Sequence, residues 1–381
     1  MNGDANVPRT TTPRQRVLDA LGFHQPDRTP MDFGGTTLSS CEAPFLAAMR
    51  QRLGYRLPDD RDEDGWWVDE TIQKFLGVDL RCVPPTPPLV VLKDLDPAAY
   101  EKQRKARQEK PAQLLHDVKT RDLRTHFPMA GATLEDVKRL RPQKVEPPRY
   151  LNWMIRVARD YQTAGYATTY AVDCGFFESA CWQRGYDRTA MDLAEQPDLL
   201  RTLFDVWLVE KLERIEVTAR PLAPYIDIFC FGDDLGMQTG PFMSPQMFRT
   251  IIKPYMKQMY AALKRVAPKA RVFHHSCGSV YRLLDDLMEA GVELLNPCQP
   301  HAADMSPENL KAKGDGWLAF HGGIDLQRLL PFGTPEEVKA EAQRVISILG
   351  RGGGYICAAA HSLPDDVPVE NILALFSLTR Q

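Results

Sequence analysis

The chain lacks the marks of several broad protein classes. No apolar run approaches the roughly 18 residues that a membrane-crossing helix requires, so no membrane partner is expected. There is no block of basic residues and the formal net charge is only −3, which gives no reason to expect nucleic acid or an anionic lipid surface. None of the eight cysteines forms a Cys-x-x-Cys pair, and the chain is far longer than a disulfide scaffold. Free thiols in a reducing cytoplasm are therefore expected. The stretch Met1–Thr12 is polar, without the apolar segment of a secretory signal, and reads as a disordered tail.

What is present suits one enzyme-sized globular domain. The chain has 381 residues, 44% hydrophobic and 25% charged, which is the composition of an ordinary globular protein and the length of one barrel with insertions. Extended apolar runs occur around Met31 and at Gly77–Val83, Ala167–Val172, Ile226–Gly232, Arg271–His275, Val292–Asn296, Trp317–His321 and Tyr355–Ala359. Helical patterns lie between them, most clearly at Leu151–Ala164, Pro197–Arg220, Pro245–Arg265, Val280–Ala290, Pro335–Leu349 and Val369–Thr379. Pro245 behind Ser244 and Pro335 behind Thr334 read as first-turn prolines following N-caps. Strands alternating with helices imply parallel pairing, and eight extended segments imply an α/β fold of the (β/α)8 TIM-barrel kind. An open doubly wound sheet usually carries a glycine-rich fingerprint after its first strand, which Gly34-Gly35 does not supply.

One region breaks the alternation. Proline brackets a charged excursion after the second strand, from Val83-Pro84-Pro85 to Glu146-Pro147-Pro148, and it includes Tyr100–Lys110. We read it as an insertion of about residues 84–148 within a single domain spanning 13–381, where it either caps the barrel mouth or decorates the surface.

Barrel chemistry sits at the C-terminal ends of the strands, which all open on one face. The run Phe273-His274-His275-Ser276-Cys277-Gly278 ends the fifth strand, and side chains two apart on a strand point the same way. His275 and Cys277 thus project together, while Tyr355–Ala359 delivers His361 to another strand end. A His-x-Cys pair plus a distant third N or S ligand leaves one position open, as in catalytic zinc. The plainer reading is that each is a packed core residue, as His274, pointing the opposite way, is expected to be. The other strand ends add Asp32 and Phe33, Asp173 with Phe177 and Glu178 beyond it, Asp233-Asp234 with Gln238, Asn296 with Gln299, and His321. Asp32 and Asp173 are equally readable as N-caps, and Glu178 as a first-turn acid favoured by the helix dipole. Cys298 and Cys357 are alternative thiols, although apolar neighbours favour plain burial for both.

Several segments resemble the uroporphyrinogen decarboxylase superfamily. They are Phe231-Gly232-Asp233-Asp234-Leu235-Gly236-Met237-Gln238 with Ser244-Pro245, His275-Ser276-Cys277-Gly278-Ser279, Leu295-Asn296-Pro297-Cys298-Gln299, Phe320-His321-Gly322-Gly323-Ile324-Asp325, and Pro368-Val369-Glu370-Asn371-Ile372. The resemblance runs from about Pro13 to the C-terminus and is strongest after Asp227. It implies a (β/α)8 fold, in agreement with the segment count.

The resemblance also implies one of two chemistries. The decarboxylases proper carry an arginine-rich segment after the first strand, where this chain has Met31-Asp32-Phe33-Gly34-Gly35-Thr36-Thr37 with no arginine. Asp32 would repel a substrate bearing many carboxylates. The other branch, similar in its His-x-Cys pair, comprises zinc-dependent methyltransferases that work with corrinoid proteins, and in it the third ligand is a later Cys. Alignment on Pro368-Val369-Glu370-Asn371 places His361 there, with Cys357 as the alternative; the decarboxylases also carry a His at this place, so this one position leaves both branches open. Zinc held by two nitrogens and one thiolate keeps more Lewis acidity than zinc held by two thiolates.

The expectation is therefore a zinc-dependent methyltransferase that takes a methyl group from a small methylated substrate, a methyl ether in the first instance. Asp233 and Glu178 are the expected acid–base or orienting groups. Asp32, Phe33, Asp173, Phe177, Asp234, Gln238, Asn296, Gln299 and His321 are the expected substrate contacts, with Phe176 and Trp182 adding to the apolar wall. The Asp-x-His-x-x-Gly type of cobalt-ligand loop is absent, so the corrinoid (cobalamin) would be carried by a separate partner protein. A homodimer is left open. The competing reading is a carboxy-lyase of this superfamily acting on an organic acid, for which Arg184 is the nearest cation to the strand ends.

Overall fold

The computed structural model describes residues 11–56, 68–108 and 127–380. Seven parallel strands form one curled sheet: β1 Leu80–Cys82, β2 Ala167–Cys174, β3 Ile228–Gly232, β6 Arg271–His275, β7 Leu294–Asn296, β8 Ala319–Ile324 and β9 Tyr355–Ala359. Between β3 and β6 a small hairpin, β4 Gly236–Met237 and β5 Gly240–Pro241, projects from the C-terminal end of β3. Helices separate the sheet strands, as right-handed crossovers between parallel strands require.

The eighth position of the barrel is filled by Pro30-Met31-Asp32, which is too short to count as a strand. Its backbone bonds on one side to Cys357, through Asp32 N–H to Cys357 O and Cys357 N–H to Pro30 O, both 2.9 Å. On the other side Asp79 N–H donates to Met31 O at 3.0 Å, which closes the ring next to β1. A buried charge cluster supports this short join. The fully buried Asp79 carboxylate accepts from Arg16 at 2.6 Å, Arg28 at 2.7 Å and the Met31 N–H at 2.9 Å.

Alternation along the strands sorts side chains into two cores. Leu80, Ala167, Ile228, Cys230, Phe273, Leu294, Ala319 and Ile356 point inward and fill the barrel, with Val17 and Leu21 of helix Pro13–Leu21 packed on the same cluster. The opposite faces pack outward on the helices in a much larger apolar cluster. Two residues above the inner layer, the same phase brings His275 of β6, Asn296 of β7 and His321 of β8 into the interior. His274 takes the other phase and meets Tyr260 of helix Lys253–Val266, with 2.9 Å from the hydroxyl to Nδ1.

Most expected elements occur with shifted ends. β6 and β9 match their sequence segments, as does helix Pro335–Leu349. Thr334 and Ser244 cap their helices as expected, each accepting a backbone N–H at 3.2 Å. β8 begins at Ala319 rather than at Trp317, which is 80% exposed, and runs on through Gly322-Gly323. These glycines resemble a strand end in sequence, yet a Cβ on Gly322 would lie 2.3 Å from Pro297 O, so the close approach of another backbone explains the first of them. After β1 the excursion holds helices Leu89–Leu95, Pro97–Gln108 and Leu134–Lys138. Lys110, with the rest of 109–126, and residues 1–10 of the expected tail lie outside the described residues. The returning limb lies along the barrel helices: Met129 N–H donates to Gln183 O, and Gln143 and Val145 N–H donate to Glu210 and Glu213. Among the described residues, no helix is long and apolar enough to cross a membrane.

Candidate metal centre at the barrel mouth

Strand β6 ends at His275, and the chain then turns through Ser276 and Cys277 into a backbone-on-backbone crossing with β4. A Cβ on Gly278 would lie 2.6 Å from Gly236 C, and one on Gly236 would lie 2.5 Å from Cys277 O. Gly278 also holds φ +75°, a left-handed conformation that glycine adopts without strain. Around this crossing, Cys277 N–H donates to Asp234 Oδ1 at 2.8 Å, Gly278 N–H to Gln299 Oε1 at 2.5 Å, and Leu235 N–H to Ser276 Oγ at 2.9 Å. The backbone that carries Cys277 is thus held by its own loop.

His275, Cys277 and His361 converge there. One donor atom from each lies within 4.8 Å of the others, with Cys277 Sγ 3.5 Å from His275 Nε2 and the two imidazoles packed edge to face at 5.3 Å. His275 is buried and the other two are half-buried, so the group has an open side. Cys357, the alternative third ligand, is instead fully buried in the apolar core and stands outside the group. Burial lowers the pKa of both imidazoles, His275 to about 4, so both are neutral near pH 7. Burial, with the charges of Asp234 and Glu178, pushes the Cys277 thiol up to about 12. Two neutral imidazoles and one thiol, which loses its proton on binding, are a donor set that fits zinc with one position free.

Acidic groups surround the trio. Asp234, half-exposed, lies 3.5 Å from His275 Nε2 through Oδ1. Glu178, in helix Phe176–Arg184, is half-buried, and burial followed by the charges of Asp234 and Asp233 pushes its carboxyl up to about 7. A carboxyl tuned near neutrality can hold or give a proton.

The other expected site residues separate into groups. Asn296, His321 and Asp32 are all fully buried and joined in a line below the trio, His275 Nδ1 to Asn296 Oδ1 at 2.5 Å, Asn296 Nδ2 to His321 Nδ1 at 2.8 Å and His321 Nε2 to Asp32 Oδ2 at 2.8 Å. They support the mouth rather than line it. Gln299 holds the Cys277 loop, and Gln238 is exposed at the tip of the β4–β5 hairpin.

Four placements correct the sequence reading. Asp233 is a helix cap: its fully buried carboxylate accepts the N–H groups of Phe176, Phe177 and Glu178 at 3.0, 3.3 and 2.7 Å, so it is turned to the backbone of the next helix. Asp173 faces away from the mouth, toward Arg214 at 3.1 Å and Lys211 at 3.4 Å, because the register of β2 shifts between Ala171 and Asp173. Phe33 packs in the outer core against Phe45 and Phe376, following the outward phase of Met31. Phe177 is fully buried against Phe242. Of the other two wall aromatics, Phe176 is equally buried, and Trp182, 51% exposed, lines a cavity of about 190 Å3 beside Asp173. Ser39, which donates to Asp32 at 2.6 Å, and the crossing glycines Gly236 and Gly278 were missed. Only the flanking glycines were a signal for the crossing.

The comparisons with known proteins agree with this geometry in fold. Uroporphyrinogen decarboxylase of Thermus thermophilus is 26% identical over 140 residues, 36% of this chain and 38% of that protein. The protein of the same name from Chlorobium limicola is 25% identical over 146 residues, with the same coverage. The chain thus matches well under half the length of these curated relatives. A solved structure, a methyltransferase from Methanosarcina mazei, superposes with a TM-score of 0.61 at 15% identity, covering 97% of this chain and 99% of that one. Residues 130–381, more than half of the chain and all three converging side chains among them, match the family described as uroporphyrinogen decarboxylase (URO-D), and the chain belongs to that family.

Proposed function

We propose that this protein is a zinc-dependent methyltransferase, moving a methyl group from a small methoxylated substrate to a separate corrinoid protein. The observation that carries the reading is the convergence of His275, Cys277 and His361, with one side open, at the C-terminal end of the barrel. The fold shared with a solved methyltransferase over almost the whole chain supports it.

The three side chains would hold zinc through two nitrogens and one sulfur. Zinc bound there supplies a Lewis acid for the ether oxygen of the substrate. The chain's own part is to place the ether and manage one proton. As the methyl–oxygen bond breaks, oxygen keeps the electron pair and the methyl carbon bonds to the nucleophilic acceptor on the partner protein. The protonated Glu178 carboxyl, near its titration point at neutral pH, gives its proton to the departing oxygen. Burial first, and then the charges of Asp234 and Asp233, keep that carboxyl protonated near neutrality.

The competing lyase reading draws on the names of the two curated relatives. It needs a cation to grip an acid, and Arg184 is not available for that. Its guanidinium is 2% exposed, paired to Asp192 at 2.6 Å and bonded to the Met129 and Ala132 carbonyls.

The test combines enzyme, a reduced corrinoid protein and a panel of methoxylated aromatics and sugars, and follows the cobalt absorption spectrum. Zinc-dependent methylation of the corrinoid that is lost in Cys277→Ala is the expected result. No transfer across the panel with zinc present, or transfer undiminished in Cys277→Ala, contradicts it. Uroporphyrinogen serves as the lyase arm, and loss of carbon dioxide at about 1 per second or faster would favour that reading.

A further inference from the structure

Resting on the zinc reading, we infer that Asp32 sets the tautomer of His275 through a buried relay, and so decides which imidazole nitrogen faces the metal. The relay runs Asp32, His321, Asn296, His275, and its first three members are fully buried. Water therefore cannot supply substitute partners, and each proton position is dictated by the next.

The order of donors and acceptors follows from elementary rules. The Asp32 carboxylate is an acceptor, already holding the Gly35 N–H at 2.8 Å and the Ser39 hydroxyl at 2.6 Å. His321 Nε2, 2.8 Å away, must then carry the hydrogen. With one proton on the ring, His321 Nδ1 is an acceptor and faces the Asn296 amide at 2.8 Å. An acceptor there requires the NH2 end of Asn296. The same atom lies 3.4 Å from His321 O, a carbonyl that also only accepts, a contact consistent with this orientation but too long to hold the amide by itself. Asn296 Oδ1 is left to receive a hydrogen from His275 Nδ1, at 2.5 Å. The lone pair of His275 is consequently on Nε2, the nitrogen 3.5 Å from Cys277 Sγ. A ligating histidine whose other nitrogen donates to a fixed acceptor is the general arrangement that orients metal-binding imidazoles. Here the fixing charge is three side chains away, at the join that closes the barrel.

The relay makes Asp32, Asn296 and His321 positioning residues, and it gives Asp32 a role that neither capping nor substrate contact requires. In Asp32→Asn the terminal group can donate as well as accept. His321 is then free to take either tautomer, Asn296 can turn over, and the His275 hydrogen can move to Nε2. In Asn296→Asp the acceptor beside His275 is kept, so the Nδ1–H form should persist.

The test uses full-length protein labelled with 15N-histidine. Long-range 1H–15N spectra of the metal-free form read the His275 tautomer, and competition with a chromophoric chelator reads zinc affinity. Wild type and Asn296→Asp should show His275 as Nδ1–H. Asp32→Asn should show mixed tautomers and a zinc affinity lowered about 10- to 100-fold, the range for loss of an outer-shell partner. If Asp32→Asn does not fold, Asn296→Ala, which removes both the acceptor beside His275 and the donor beside His321, takes its place with the same expectation. A His275 that stays Nδ1–H in Asp32→Asn, or zinc affinity unchanged in a variant whose tautomer has moved, overturns the inference while leaving the zinc site standing. Failure of the wild type to bind zinc removes the metal reading instead, and the tautomer spectra still decide the relay.

Discussion

Gly236 and Gly278 cross with no room for a side chain on either: a Cβ on Gly278 would lie 2.6 Å from Gly236 C, and a Cβ on Gly236 would lie 2.5 Å from Cys277 O. The contact is backbone against backbone, so no rotamer change can relieve it. It holds the Cys277 loop against β4 and thereby sets where the Cys277 thiol stands relative to His275 and His361.

Gly236→Ala should therefore act on the metal before it acts on the fold. We expect a folded protein with zinc affinity lowered about tenfold or more, comparable to loss of an outer-shell partner. Equilibrium competition for zinc, alongside circular dichroism, checks it. Undiminished affinity would mean that the crossing does not position Cys277.

Asp233 separates capping from catalysis. Its carboxylate holds three backbone N–H groups at the start of helix Phe176–Arg184, and a Cβ on Gly175 would lie 2.1 Å from it, so the cap is built into the turn. Asp233→Ala should cost about 1–2 kcal/mol, the usual value of a strong N-cap, measured by denaturant unfolding. Zinc stoichiometry should be unchanged. A variant of wild-type stability that transfers no methyl group would instead return Asp233 to a chemical role.

The acidic surround gives the metal-free protein a characteristic pH response. Burial and like charges push Glu178 up to about 7, and burial pushes Asp233 up to about 6. Both carboxyls therefore bind protons more tightly folded than unfolded. Between about pH 4.5 and 7 the folded state keeps protons that the unfolded chain has released, so this contribution to stability is full at the acid end and is lost as pH rises. Glu178→Gln should reduce the fall. Urea midpoints of the two proteins from pH 4.5 to 7.5 make the comparison, and parallel curves would show that Glu178 ionises normally.

Much of this site was legible because it depends on periodicity. His275 ends its strand on the inner phase and the barrel count alone sends His361 to the same face, while Cys277 stands in the loop just beyond that strand and reaches the group through its turn. The residues misplaced were those where a local irregularity interrupts the count. The bulge between Ala171 and Asp173 turns Asp173 outward, whereas strict alternation would point it inward. Asp233 and Asp234 are adjacent and chemically identical in sequence. Only the gap over Gly175 shows that the first caps a helix, while the second meets Cys277 N–H and His275. The relay through Asn296 was invisible for another reason: its four members come from four separated strand ends, and no spacing connects Asp32 to His321. The β8 boundary was lost at Gly322-Gly323, which mimic a turn although the first of them serves close packing against Pro297.

The central claim is that His275, Cys277 and His361 form one zinc site, and metal analysis tests it most directly. Protein purified without chelator, and again after zinc loading and desalting, should carry about one zinc per chain, as a single three-ligand site holds. Cys277→Ala should carry little or none while keeping its circular dichroism and thermal transition, because the barrel core lies beneath the ligands and not among them. Full zinc retention in folded Cys277→Ala, or no zinc in the wild type under loading, would contradict the account.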